Sequence, residues 1–119
     1  MKLGKKTSGG KYIKRRKKKL YEMPGQRRIV KLGEEKRKKK KTIGGNKKII
    51  MFSAKKVNVL INKKAKIVDI KNVLETPSNR FLARQNVITK GTILETELGK
   101  VKVTNRPSQT GTVQGILVE

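Results

Sequence analysis

The chain has 119 residues and a formal net charge of +25, from 33 basic and 8 acidic side chains, with neither cysteine nor histidine. That length suits one domain rather than two; missing cysteine excludes a disulfide framework and a thiolate metal site and fits a cytosolic setting, and missing histidine removes the ordinary imidazole base. So large a charge opposes compaction by self-repulsion, which points to a polyanionic partner, nucleic acid first.

Charge divides the chain unevenly. Residues 1–56 hold 23 basic and 3 acidic side chains, whereas 57–119 hold 10 and 5. The N-terminal "MKLGKKTSGG" has no apolar segment of the kind a secretory signal carries. Apolar residues before position 34 are scattered among charges, a composition that cannot offset ordering entropy by burial. Residues 1–33 are therefore expected to form a basic RNA-binding arm, disordered when free. Its densest run places Lys11, Lys14, Arg15, Arg16, Lys17, Lys18 and Lys19 within nine positions. Tyr12 and Tyr21 bracket this run, positioned either to stack on an unpaired base or to pack onto the folded domain. Gly9 and Gly10 precede it. With no strands flanking them, they are expected to let backbone amides approach phosphate. Arg27 and Arg28 form a second basic group, able to fork onto phosphate or a guanine edge.

A hairpin is expected around "TIGGNKKII", its turn at Gly44, Gly45 and Asn46 and its flanks over 38–43 and 47–52. It would carry Lys38 and Lys40 on one arm and Lys47 and Lys48 on the other. "EEKRKKKKT" looks disordered alone, because consecutive like charges repel, and extended once neutralised. The longest uncharged apolar stretch, over 49–54, is about six residues, against roughly twenty for a membrane span, so no membrane role is expected.

The second half reads as strands. "KVNVLIN" sets Val57, Val59 and Ile61 on one face; "KIVDIKNVL" and "RFLAR" are further apolar runs; "NVITKGTILETELGKVKVTN" carries a hairpin at Leu98–Gly99; "GTVQGILVE" supplies Val113, Ile116, Leu117 and Val118. Short β-branched runs separated by turn residues predict an all-β fold, a small barrel of about six strands over 34–119, with part of the first half adding strands. Phe52 and Phe81 are expected in its core.

Catalytic chemistry has little to stand on. Asp69, the single aspartate, falls in a strand pattern and is expected to face solvent or pair with a lysine; Glu95 and Glu97 are expected on one solvated strand face. "TSGGK", "IGGNKK" and "LGKV" fail the phosphate-loop pattern. No catalytic residue, metal, cofactor or small-molecule substrate is expected. With few aromatic platforms and no DNA-reading motif, folded or double-stranded RNA held by backbone and shape is the favoured ligand.

Several segments, in order, carry a family resemblance: "KKTSGGK", "KRRKKKLYEMPG", "KLG", "GGNKK", "KIVDIKNV", "TPSNRFLARQNVITKGT" and the ending "GTVQGILVE". Together they resemble the archaeal and eukaryotic e-type family of small-subunit ribosomal protein eight. The missing cysteines and insertion of eukaryotic members fit an archaeal-like form. "GQRRIV" lacks a Pro-rich stretch associated with the family, and 34–43 is unusually rich in lysine. The resemblance implies a β-barrel that binds small-subunit rRNA in the cytoplasmic ribosome, beside other ribosomal proteins. Carried over by position, it implies RNA-binding roles for Thr7, Gly9, Gly10, Arg15, Arg16, Tyr21, Gly44, Asn46 and Lys47. A transient assembly factor or RNA chaperone is the alternative, and a DNA-compacting protein a third.

Overall fold

The period-two pattern of the second half becomes a closed barrel. The computed structural model describes residues 4–13, 16–61 and 63–118. Five strands, β4 (Lys56–Ile61), β5 (Lys64–Glu75), β6 (Ile93–Thr96), β7 (Gly99–Val103) and β8 (Gln114–Leu117), pair in that order, and β8 returns to β4 to close the ring. Neighbours are antiparallel except the closing pair, which is parallel, with Asn58 opposite Gln114 and Leu60 opposite Ile116.

Aliphatic side chains, mostly β-branched, fill the interior. Val57, Val59, Leu94 and Val101 are fully buried, each contributing about 1.5–3 kcal/mol relative to exposure. A five-stranded ring leaves little room inside. At Gly115, a Cβ would lie 2.4 Å from Val101 Cγ1 and 2.9 Å from the Lys102 carbonyl oxygen, so only glycine lets β8 sit this close to β7. The twelve-residue β5 bends at two register shifts against β6, Ile70/Asn72 and Val73/Glu75, as bulges do where a sheet must curl on itself.

The first half does add strands, but to a separate sheet. β1 (Lys31–Leu32), β2 (Lys36–Lys41) and β3 (Lys47–Ala54) form it in the order β1-β3-β2. β3 reaches β4 through Lys55 alone. Val30, Met51, Ala54 and Ile88 join the barrel's valines in one continuous core, so sheet and barrel fold together. The β2–β3 hairpin turns at the expected place: Thr42 N–H donates to the Asn46 carbonyl at 2.7 Å, with Gly44 (φ 92°) and Gly45 (φ 84°) in the left-handed region that β-carbons disfavour. Its first strand lies two residues earlier than expected, and its second starts at Lys47 as expected but runs two residues further, to Ala54.

Three expectations are corrected. "RFLAR" is helix, α1 (Arg80–Arg84), capped by Asn79, whose Oδ1 accepts from Phe81 N–H at 3.0 Å. Phe52 and Phe81 lie outside the core, 36% and 66% exposed. Glu97 sits in the turn after β6, so it shares no strand face with Glu95. Asp69 stands opposite Lys56 in the β4–β5 register, partly buried, with Oδ1 shielded and unbonded. Buried hydroxyls are better matched: Thr92 Oγ1 accepts from Thr89 N–H at 3.0 Å and lies 3.5 Å from Thr76 Oγ1.

Candidate nucleic-acid interface

Lysines dominate both faces of the β2–β3 hairpin. Cross-strand partners share a face of a sheet. Lys38 and Lys40 thus align with Ile50 and Lys48, and Arg37, Lys39 and Lys41 align with Met51, Ile49 and Lys47 on the other side. Every residue of β2 is exposed. Lys40 lies directly opposite Lys48, and Lys41 opposite Lys47. Like charges so placed destabilise a ladder, and the nearby acids offer limited relief: Glu35 pairs with Arg37.

Beside the hairpin lies a groove of about 780 Å³, whose basic lining residues are Arg28, Lys40, Lys47 and Lys48 and which no acidic side chain among the described residues lines. Its far wall is α2 (Pro107–Thr110), contributing Gln109 and Thr110. Asn105 sets that wall in place. Its Nδ2 donates to Thr110 Oγ1 at 2.8 Å and to the Thr112 carbonyl at 2.7 Å, while its Oδ1 accepts from Gln114 N–H at 3.0 Å. The start of β8 is thereby tied to α2.

A second groove, about 410 Å³, continues from Arg28 and is flanked by Arg27, Lys90 and Arg106. Three of the basic groups expected from sequence thus meet on one side of the molecule: Arg27 with Arg28, Lys40 of β2, and Lys47 with Lys48. Lys38 is exposed on β2 but lines neither groove. Gly44 and Asn46 form the hairpin tip. Lys90 and Arg106 were not expected. Each is an isolated base in its sequence neighbourhood, and only the fold brings it to the others.

The rest of the arm stands elsewhere: among the described residues, none before Arg27 lines either groove. Thr7, Gly9 and Gly10 occupy a small turn, not an unflanked loop: Lys5 bridges Lys11 antiparallel, and Lys6 N–H donates to the Gly10 carbonyl at 2.8 Å. Tyr12 is exposed, its ring 5.8 Å from Lys6 Nζ. Lys14 and Arg15 fall outside the described residues. Lys17, Lys18 and Lys19 are exposed and lead into a single 3-10 turn, Leu20–Glu22, that holds the exposed Tyr21. Arg16 is engaged within the chain. Its guanidinium forks onto Glu22, Nη1 to Oε2 at 2.8 Å and Nη2 to Oε1, and Lys19 N–H donates to the same carboxylate at 3.0 Å. Arg16 holds the Glu22 carboxyl below its ordinary value, assisted by the Lys19 amide, and the carboxylate in turn raises the Arg16 guanidinium.

Comparison with known proteins finds relatives along nearly the whole chain. A family described as ribosomal protein S8e matches residues 2–118. The small ribosomal subunit protein eS8 of Staphylothermus marinus is 43% identical over 117 residues, covering 96% of this chain and 91% of that protein. The protein of the same name from Sulfurisphaera tokodaii is 42% identical over 120 residues, covering 96% and 91%. That from Nanoarchaeum equitans is 43% identical over 106 residues, covering 87% and 84%.

Proposed function

Because this chain belongs to the ribosomal protein S8e family, we propose that it is a structural constituent of the cytoplasmic small ribosomal subunit, binding and stabilising rRNA through its basic arm and the grooved side of its fold. It is a structural protein, not an enzyme, in keeping with that family. The observation that carries the RNA-binding reading is the groove beside the hairpin, where, among the described residues, four basic side chains and no acid line one surface. Opposed lysine pairs on β2 and β3 strengthen it. A hairpin that repels itself in isolation gains stability when phosphates lie between its charges.

Residues 1–33 serve as an arm that follows the RNA, and the packed domain is the anchor. Val30, near the end of that arm, is already buried in the core. This junction delivers Arg27 and Arg28 to the groove, where arm and domain share one binding surface. Each phosphate neutralised releases condensed counterions, so binding is strongest at low salt. Neighbouring ribosomal proteins are the expected protein partners.

Sedimentation of cell extracts through sucrose at moderate salt tests the assignment. The protein should travel with mature small subunits. Its presence only with precursor particles, and its absence from mature ones, would favour a transient assembly role instead.

A further inference from the structure

Phosphate binding explains the rim of the second groove but not its floor. The rim is cationic: Arg27, Arg28, Lys90 and Arg106. The floor is apolar: Ile29, 47% exposed, and the half-buried Leu82 supply its open surface, with the buried Val30, Val87, Ile88 and Pro107 at its base. A paired RNA helix offers a protein phosphates, hydroxyls and shallow base edges, none of which matches an apolar floor. A base turned out of its stack does match. Its faces are apolar, its edges polar, and its flanking phosphates anionic. The cavity of about 410 Å³ lies within the range of small-ligand pockets; it has room for one base and its sugar but not for a duplex.

The floor is held before any ligand arrives. Ile88 N–H donates to the Val30 carbonyl at 2.8 Å, and Lys31 bridges Val87, so the two segments that form the floor are pinned to each other. Preorganisation of this kind lowers the cost of binding. Ser78 and Ser108 also line the groove, and their hydroxyls can donate to or accept from a base edge. Among the described residues no aromatic ring lines it, so the planar surface available for stacking is a guanidinium, which arginine supplies and lysine does not.

We infer that this groove receives a single unstacked nucleotide of the bound RNA, from a bulge or loop, with its base on the apolar floor and its phosphates on the cationic rim; this rests on the RNA-binding reading above. The test uses the full chain and two RNA hairpins of equal charge, one fully paired and one carrying a single bulged 2-aminopurine. The bulged hairpin should bind about tenfold more tightly, the effect of one good stacking contact, and its fluorescence should change on binding. Arg106→Ala, at an exposed side chain, should abolish that preference. Lys39→Ala, on β2 and away from the groove, should weaken both RNAs alike. Equal affinity of the unsubstituted chain for the two hairpins would overturn the nucleotide site while leaving RNA binding intact. So would an Arg106→Ala loss shared equally by both RNAs. Failure to bind either hairpin at low salt would overturn the RNA-binding reading itself.

Discussion

The ion pair between Arg16 and Glu22 shows how a charge can be present in the sequence and committed in the fold. Six residues separate the partners, a spacing that neither helix nor strand periodicity brings to notice. The 3-10 turn between them makes the contact. Arg16 therefore meets RNA only by leaving Glu22 or by sharing its remaining donors. The lowered Glu22 carboxyl has a pH consequence. A group whose folded value is depressed stabilises its partner structure above the ordinary carboxylate range, and that support is lost as pH falls through the lowered midpoint. Carbon-detected NMR should find Glu22 titrating below the usual glutamate range. In Arg16→Ala it should return toward that range, with loss of order at Leu20–Glu22. A midpoint that does not respond to Arg16→Ala would mean that the pair is not formed in solution.

Among the elements, the β2–β3 hairpin carries the sharpest conflict between stability and binding. Its turn was legible because "GGN" between extended flanks needs left-handed backbone. Its lysine-dense strand was legible only conditionally, since repulsion argues against order and cross-strand pairing supplies it. Replacing one of two opposed lysines separates the effects. Lys40→Glu should stabilise the free protein by about 0.2–1 kcal/mol, by turning a repulsive pair with Lys48 into an attractive one, and should weaken RNA binding. Urea denaturation and filter binding measure the two, and a variant that loses both stability and affinity would contradict the register. Elsewhere, alternation identified β4 and β7 well, because one face of each is buried. It failed at "RFLAR", where five residues give too short a window to separate strand from helix. Asn79 was the overlooked signal, an N-cap residue immediately before the run. Phe81 then followed the helix outward, and aromatic character alone did not predict its burial.

The molecule as a whole is elongated, 67 × 33 × 29 Å with a radius of gyration of 21.1 Å, against about 13.5 Å for a compact domain of this length. Such a shape spreads charge over a long surface while keeping one modest core. The barrel class and the uneven division of charge could be inferred from sequence, since both follow from composition along the chain. The grooved surface could not. It depends on Lys90 and Arg106, single charges far from the basic runs, being carried to Arg27 and Arg28 by the β5–β6 and β7–β8 connections. If that surface grips phosphate, the slope of log affinity against log salt should shrink by about two when Arg27 and Arg28 are both replaced by alanine. An unchanged slope would place those arginines outside the interface.

The parallel pairing of β4 with β8 has a consequence in time. Asn58 and Gln114 are neighbours in the ring, yet nearly half the chain separates them. During synthesis at about 5–20 residues per second, β4 waits several seconds for the strand that closes the barrel. Through that interval the lysine-rich half has already emerged and its anchoring core does not yet exist. Any polyanion near the nascent chain then competes with folding, so the step most exposed to error comes before the protein has a native surface to protect.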